Sequence, residues 1–204
     1  RAAVKKCFDR QEDWLQELRL YGLLDQALPL PRVLWSSPQV LITEYLPFPH
    51  LLSVLEGQAR SGFDPAPWEQ LGHWLESCKA LCGELPSDGN LRNFLWDEEG
   101  RRIVGLDLEG YEIRSIGDSG ADLVSSLLEY ALPPSDVQVR IAELMLRRLH
   151  ISVGQIQQAR DRLLRRRHNI HSTPVTGVVL AGGQSKRMGW SKAELPLMGM
   201  TLLE

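Results

Sequence analysis

Apolar and polar positions recur along this chain in two periods, and the periods separate strands from helices. Residues 2–8 read as a short strand. Residues 11–24 read as a helix, because Trp14, Leu15, Leu18 and Tyr21 fall on one face at three-to-four-residue spacing. Two apolar runs, 33–35 and 40–45, flank Ser36-Ser37-Pro38, whose turn chemistry predicts a hairpin that leaves through Pro47 and Pro49. Helices are predicted over 51–60 and 67–81, the second with Pro67 in its first turn, where a missing N–H is harmless. Residues 94–96 and 103–106 form a second predicted hairpin around a turn at 97–100. Helical spacing returns over 122–130, over 137–149 with Val137, Ile141, Leu144 and Leu149 on one stripe, and over 154–167. Residues 168–174 are polar and turn-prone, which predicts a unit 1–168, a linker 169–173 and a second unit 174–204. In that second unit, 175–180 is apolar but for Thr176, the pattern of a strand covered on both faces.

Composition narrows the function classes. An apolar fraction of 43% in 204 residues is ample for a packed core, and a net charge of −3 argues against a dedicated nucleic-acid binder. No run of eighteen apolar residues could span a bilayer, so neither membrane nor nucleic acid is an expected partner. Cys7, Cys78 and Cys82 are too few for a disulfide framework or a zinc site, and with no signal peptide in view the expected setting is a reducing cytoplasm. Cys78 and Cys82 read as helix core, and all tryptophans except Trp190 as packing residues. His50, His73, His150, His168 and His171 have no spacing that suggests a triad or metal site, and Arg162 with Arg165, Arg166 and Arg167 reads as a charged helix end favoured by its own dipole. The chain opens on Arg1 and closes on Thr201-Leu-Leu-Glu204, a capping-box spacing that predicts a helix beginning there and hence a longer parent sequence.

Two constellations carry chemistry. The first is Val178-Val-Leu-Ala-Gly-Gly-Gln-Ser-Lys-Arg-Met-Gly189. Paired glycines at Gly182 and Gly183 let backbone N–H groups approach a phosphate closely, while Lys186, Arg187 and Lys192 can offset its charge. It matches neither the Walker A loop nor G-x-G-x-x-G. Read on through Lys192-Ala-x-Leu-Pro-Leu197, it resembles the amino-terminal signature of MobA-like nucleotidyltransferases, the molybdenum cofactor guanylyltransferases and their relatives, with Ser191 where that family usually carries Asp. The resemblance implies an α/β, Rossmann-like domain in which Leu180, Ala181, Gly182, Gly183 and Lys192 bind a nucleoside triphosphate, GTP by preference, with Mg²⁺ bridging its phosphates. Arg187 and Lys192 would stabilise charge on the α-phosphate and departing pyrophosphate, and molybdopterin or a similar phosphate-bearing acceptor would attack.

The second constellation is Asp88-x-x-x-x-Asn93 followed by the predicted hairpin and Asp107-Leu-Glu109. Asn93 and Asp107 are equally far from Gly100, so strands folded back there bring both to one end, where they could share Mg²⁺, and Asp88 on the loop before them could face an attacking hydroxyl. The order resembles the protein-kinase-like superfamily, most closely its aminoglycoside, choline and lipopolysaccharide-sugar kinase branch. The resemblance implies Lys5 as the nucleotide-binding lysine, with Lys6 competing for the role, Glu17 as its helix partner, Glu44 and Leu46 in the hinge that receives the nucleotide, and Asp122 as the buttress of the catalytic loop. Pro86 stands where that family has a histidine, and the expected glycine-rich loop before the lysine strand is absent. The chain is therefore expected to pair an α+β kinase-like fold, mostly C-lobe, with the start of an α/β nucleotidyltransferase. Three functions follow as expectations: nucleotidyl transfer from GTP, phosphoryl transfer from ATP to a small hydroxyl acceptor, or nucleotide binding by a scaffold without catalysis.

Overall fold

The computed structural model describes residues 2–130 and 134–172, the side chains of the last helix as far as 165, and strand residues 196–197 and 200–201. It divides into two compact units, Arg1–Arg166 and Arg167–Glu204. In the first, a small antiparallel sheet of order β1-β3-β2 is built from β1 (Ala3–Cys7), β2 (Val33–Ser37) and β3 (Val40–Glu44). The turn between β2 and β3 falls at Pro38 and Gln39, and Gln39 takes a left-handed φ of 62° to close it. Helix α1 (Gln11–Leu24) follows β1 and buries Leu20, Tyr21 and Leu24, together with the carboxylate of Glu17. Trp35 on β2 is 52% exposed, so it is not the packing residue its apolar run suggested. The reason is position: β2 is the edge of a sheet only three strands wide.

The rest of the unit is mostly helical around one apolar core. Helices α2 (Leu51–Ser61) and α3 (Ala66–Cys82) match their predicted spans to within a residue, as strong apolar periodicity between proline signals should allow. Helix α3 ends where Gly83 turns left-handed at φ 76°. Beyond it come β4 (Glu84–Pro86), the hairpin β5 (Phe94–Asp97) with β6 (Arg102–Gly105), and β7 (Tyr111–Ile113), which pairs antiparallel with β4. Asp97 closes the β5–β6 turn by accepting from the Gly100 N–H at 2.9 Å and from Arg102 Nε at 2.8 Å.

Helix α4 (Ile116–Glu129) starts six positions before its predicted start at 122. Gly117, Ser119 and Gly120 hid the early turns. They are packing residues: a Cβ on Gly120 would lie 2.7 Å from Leu149 Cδ1 and 2.8 Å from Ile151 Cδ1, and one on Gly117 would lie 2.4 Å from Gln155 Nε2. Ser115 supplies the cap, accepting from the Asp118 N–H at 3.0 Å. Helix α5 (Asp136–Arg148) opens with a full capping box between Ser135 and Gln138. Helix α6 runs over Val153–Ser172 and takes in residues 169–172 of the predicted linker. No glycine or proline occurs between Gly154 and Pro174, and polarity alone does not end a helix.

In the second unit the described residues are 167–172, the end of α6, and the antiparallel pair β8 (Pro196–Leu197) and β9 (Met200–Thr201). The expected glycine-rich cradle, with Leu180, Ala181, Gly182, Gly183, Arg187 and Lys192, lies outside the described residues. So does the expected strand at 175–180.

Candidate functional site

Strand β1 places adjacent lysines on opposite faces, and their surroundings decide between them. Phe8, two residues after Lys6, is buried, and period two puts Lys6 on its side, with the ammonium 4.8 Å from the ring centroid. Lys6 Nζ meets Glu17 Oε2 at 2.6 Å and Glu109 Oε2 at 3.2 Å, and also bonds to Asp107 Oδ1. The lysine that pairs with the helix glutamate is therefore Lys6. Lys5, the residue expected there, is exposed on the neighbouring wall of the cleft.

The two partners of this ion pair respond differently to burial. Desolvation alone would lower the Lys6 pKa, but the charge of Glu17 and the bond to Asp107 outweigh it and push it up to about 12. Glu17 is 2% exposed, and its desolvation, reinforced by the like charges of Asp107 and Glu109, raises its pKa despite Lys6. The cluster is thus built around the ammonium, with three carboxylates sharing one cation.

Lys6, Glu17 and Asp107 line a cleft of about 570 Å³. Its other walls are Thr43, Glu44, Tyr45 and Leu46 at the exit of β3, Phe48 and His50 before α2, and Leu95, Leu106 and Asp107 from the β5–β6 hairpin and the segment after it. Glu44 and Leu46 therefore lie in one cleft with the lysine. The Glu44 carboxylate accepts from the Arg32 N–H at 2.9 Å, and its own N–H donates to the Arg32 carbonyl at 3.0 Å, which fixes the strand exit. The apolar walls and one polar end suit a flat heterocycle with a charged tail.

The loop 87–93 joins β4 to the hairpin. Asn90 caps a single 3₁₀ turn, Leu91–Asn93, by accepting from the Arg92 N–H at 3.0 Å. Asn93 Nδ2 donates to Asp88 Oδ1 at 3.5 Å, and the Asn93 carbonyl accepts from the Leu106 N–H at 2.8 Å. The hairpin register pairs Phe94 with Gly105 and Asp97 with Arg102, which makes Leu106 the partner of Asn93. Asp107 is one residue further on. The expected symmetry of Asn93 and Asp107 about Gly100 is off by that one residue, yet both stand at the open end of the hairpin. Asp107 occupies the left-handed region at φ 55° and ψ 68°. Aspartate tolerates that conformation better than most residues, and such strain tends to persist where surrounding contacts fix it, here Lys6.

A proline at position 86 removes a side-chain anchor, and other groups hold the loop instead. The Pro86 carbonyl accepts from Ser119 Oγ at 2.9 Å and from Arg114 Nη1 at 3.1 Å. Arg114 Nη2 in turn donates to Asp122 Oδ2 at 2.6 Å, while Arg162 Nη2 donates to Asp122 Oδ1 at 2.8 Å. Asp122 thus reaches the loop through Arg114. Arg162, expected only to complement its own helix dipole, neutralises the far side of the same carboxylate.

Gly89 explains how closely the loop sits on α4. A Cβ there would lie 2.1 Å from the Asp122 carbonyl oxygen and 2.5 Å from its carbon, contacts with backbone that no side-chain rotation relieves. Gly89→Ala is expected to destabilise the protein by about 1–3 kcal/mol and to displace Asp88. Urea unfolding measures the first. An unchanged midpoint would mean that the loop lies looser on α4 than these distances require.

His50 carried no signal in the sequence. Its Nδ1 lies 2.6 Å from the Arg92 carbonyl, so it ties the start of α2 to the loop while lining the cleft. The carbonyl can only accept, so Nδ1 carries the proton.

A cation could be held beside Lys6. Carboxylate oxygens of Glu17, Asp107 and Glu109 all lie within 4.8 Å of one another, a hard-oxygen set of the kind Mg²⁺ accepts, and Asn93 adds an amide at the same hairpin end.

No family model and no curated protein matches the chain. Solved structures do resemble it. The co-crystal structure of WbdD with the kinase inhibitor LY294002 is 16% identical with a TM-score of 0.44, covering 77% of this chain and 40% of that one. A high-resolution WbdD structure is 13% identical, with a TM-score of 0.40 and coverage of 78% and 41%. The bifunctional kinase-methyltransferase WbdD in a third structure is 15% identical, with a TM-score of 0.39 and coverage of 78% and 40%. The chain spans about two fifths of the length of these structures. Among the described residues, no helix is long and apolar enough to cross a membrane.

Proposed function

We propose that the first unit is a kinase-like phosphotransferase that moves the terminal phosphoryl group of a nucleoside triphosphate, ATP by preference, to a hydroxyl acceptor. The observation that carries this reading is the Lys6–Glu17 ion pair on the wall of a cleft that also contains Asp107 and the strand exit 44–46. A lysine fixed by a buried carboxylate is a positioned cation for phosphate oxygens, and a left-handed aspartate beside it is a positioned ligand for Mg²⁺. Asn93 and Asp107 would hold the metal, which would offset phosphate charge. Asp88, bonded to Asn93, would accept the proton of the attacking hydroxyl. Glu17 orients Lys6, and Arg114, Ser119 and His50 fix the loop that carries Asp88.

The test is ligand-dependent thermal stability, since a ligand that binds only the folded state raises its stability by RT ln(1 + [L]/Kd). Wild type and Lys5→Met are expected to gain the same stabilisation from Mg²⁺·ATP, and Lys6→Met to bind at least about tenfold more weakly, as loss of one charge-assisted contact implies. Equal loss in both variants would remove Lys6 from the phosphate site. No stabilisation of wild type would sink the reading.

A second reading belongs to the second unit and is favoured by the sequence motif at 178–197. There the MobA-like resemblance suggests nucleotidyl transfer from GTP to molybdopterin or a similar acceptor, with Gly182, Gly183, Arg187 and Lys192 around the triphosphate. The product separates the two readings: pyrophosphate for nucleotidyl transfer, nucleoside diphosphate for phosphoryl transfer.

A further inference from the structure

The phosphotransferase reading leaves the acceptor open, and a second cavity bears on it. A pocket of about 370 Å³ opens at Asp88, between α2, the loop 88–92, the end of α4 and α6. None of its lining residues lines the nucleotide cleft. Asp88 therefore faces a space separate from the one that holds Lys6 and Asp107, while its bond to Asn93 ties it to the hairpin end beside Asp107. In-line transfer needs that arrangement, with nucleotide on one side of the reacting phosphorus and the acceptor hydroxyl on the other.

The lining says what the acceptor carries. Leu52, Leu91 and Leu163 supply apolar surface, and Asp88, Arg92 and Tyr130 are the ionisable groups. Tyr130 is already engaged, donating to Glu56 at 2.5 Å. Arg92 is exposed and makes no ion pair with any described residue, while its backbone is held on both sides, by the Asn90 cap and by His50. It lines the pocket together with Tyr130 at the end of α4. A cationic acceptor would need a carboxylate besides Asp88, and the lining offers none. An anion finds an exposed guanidinium on a fixed backbone, four residues from the Asp88 carboxylate.

Resting on the phosphotransferase reading, we propose that this pocket binds the phosphoryl acceptor and that the acceptor is an alcohol bearing a carboxylate or phosphate, with the anion on Arg92 and the hydroxyl at Asp88. The hydroxyl oxygen bonds to the terminal phosphorus as the bond from that phosphorus to the β–γ bridging oxygen breaks. The electron pair leaves with the nucleoside diphosphate, and the hydroxyl proton passes to the Asp88 carboxylate.

The experiment is ADP release by the full chain with Mg²⁺·ATP and matched probes: glycerate against glycerol for the carboxylate, glucose 6-phosphate against glucose for the phosphate, and ethanolamine as the cation. At least one anionic probe is expected to stimulate release beyond its neutral partner, and the pair that does so identifies the anion. Arg92→Glu is then expected to raise the KM of that probe by about 10- to 100-fold, the range for losing a charged hydrogen bond, with the KM for ATP within about twofold of wild type. Arg92→Lys, which keeps the charge but not the fork, should fall between. If Mg²⁺·ATP stabilises the protein while neutral or cationic probes work as well as the anionic ones, if no anionic probe stimulates release, or if Arg92→Glu leaves the probe's KM unchanged, the acceptor assignment is wrong and the phosphotransferase reading stands. If Mg²⁺·ATP does not bind, both fall together.

Discussion

Asp88→Asn is expected to lower phosphoryl transfer by about 10²- to 10⁴-fold while leaving the stabilisation by Mg²⁺·ATP unchanged, because a positioned general base contributes on that scale and this residue lines the pocket proposed for the acceptor. The substitution keeps shape and removes basicity. Asparagine can still meet Asn93, now as an amide pair across the 3.5 Å separation, so the loop retains its course. The two readouts divide the possibilities. A fall in both would mean that Asp88 supports the loop or the metal and not the hydroxyl. A normal rate with normal binding would remove it from the chemistry. Its magnitude also bounds the contribution of the rest of the site, since the activity left in Asp88→Asn is what Lys6, Asp107 and approximation of the reactants supply without a base.

The parts of this architecture that could be read from the sequence are those where local signals agree with burial. Helices α2 and α3 have apolar stripes bounded by proline and glycine, and both hairpins have turn residues between apolar runs, so nothing distant needed to be known. The short pair β4–β7 could not be read this way. Each strand is three residues long, β4 ends in a proline, and the two are separated by the whole hairpin. The start of α4 was hidden because its glycines answer to Leu149, Ile151 and Gln155, side chains far along the chain. The site shows the same division. Order and spacing brought Asp88, Asn93 and Asp107 to one region. They could not choose between Lys5 and Lys6, because adjacent strand residues differ only in which face is buried, although the buried Phe8 two residues on was a usable clue. His50 and Arg114 gave no signal at all. Each acts through a backbone carbonyl of the loop, and a carbonyl leaves no mark on residue identity.

Asp122→Ala should have the largest effect on stability, about 3–5 kcal/mol, a substantial part of the about 5–15 kcal/mol that typically holds a domain together. The Asp122 side chain is 8% exposed and carries two guanidinium groups, Arg114 at 12% exposure and Arg162 at 40%. Its removal affects them unequally. Arg162 can turn to solvent, so its own replacement by alanine is expected to destabilise by no more than about 1 kcal/mol, as for a half-exposed ion pair. Arg114, mostly buried, loses its direct carboxylate partner and keeps only the longer-range charge of Asp118, and the same guanidinium holds the Pro86 carbonyl beside the loop that carries Asp88. Loss of stability and loss of turnover are therefore expected together. The double variant Asp122→Ala/Arg114→Met removes the stranded charge and should recover part of the stability, since the penalty comes from an uncompensated buried ion more than from the lost pair. It should not recover turnover, because among the described residues only Ser119 then donates to the Pro86 carbonyl. Chemical denaturation of the two single variants and the double gives the coupling energy directly. A double variant no more stable than Asp122→Ala would show that the buried charge of Arg114 is not what makes the single substitution severe.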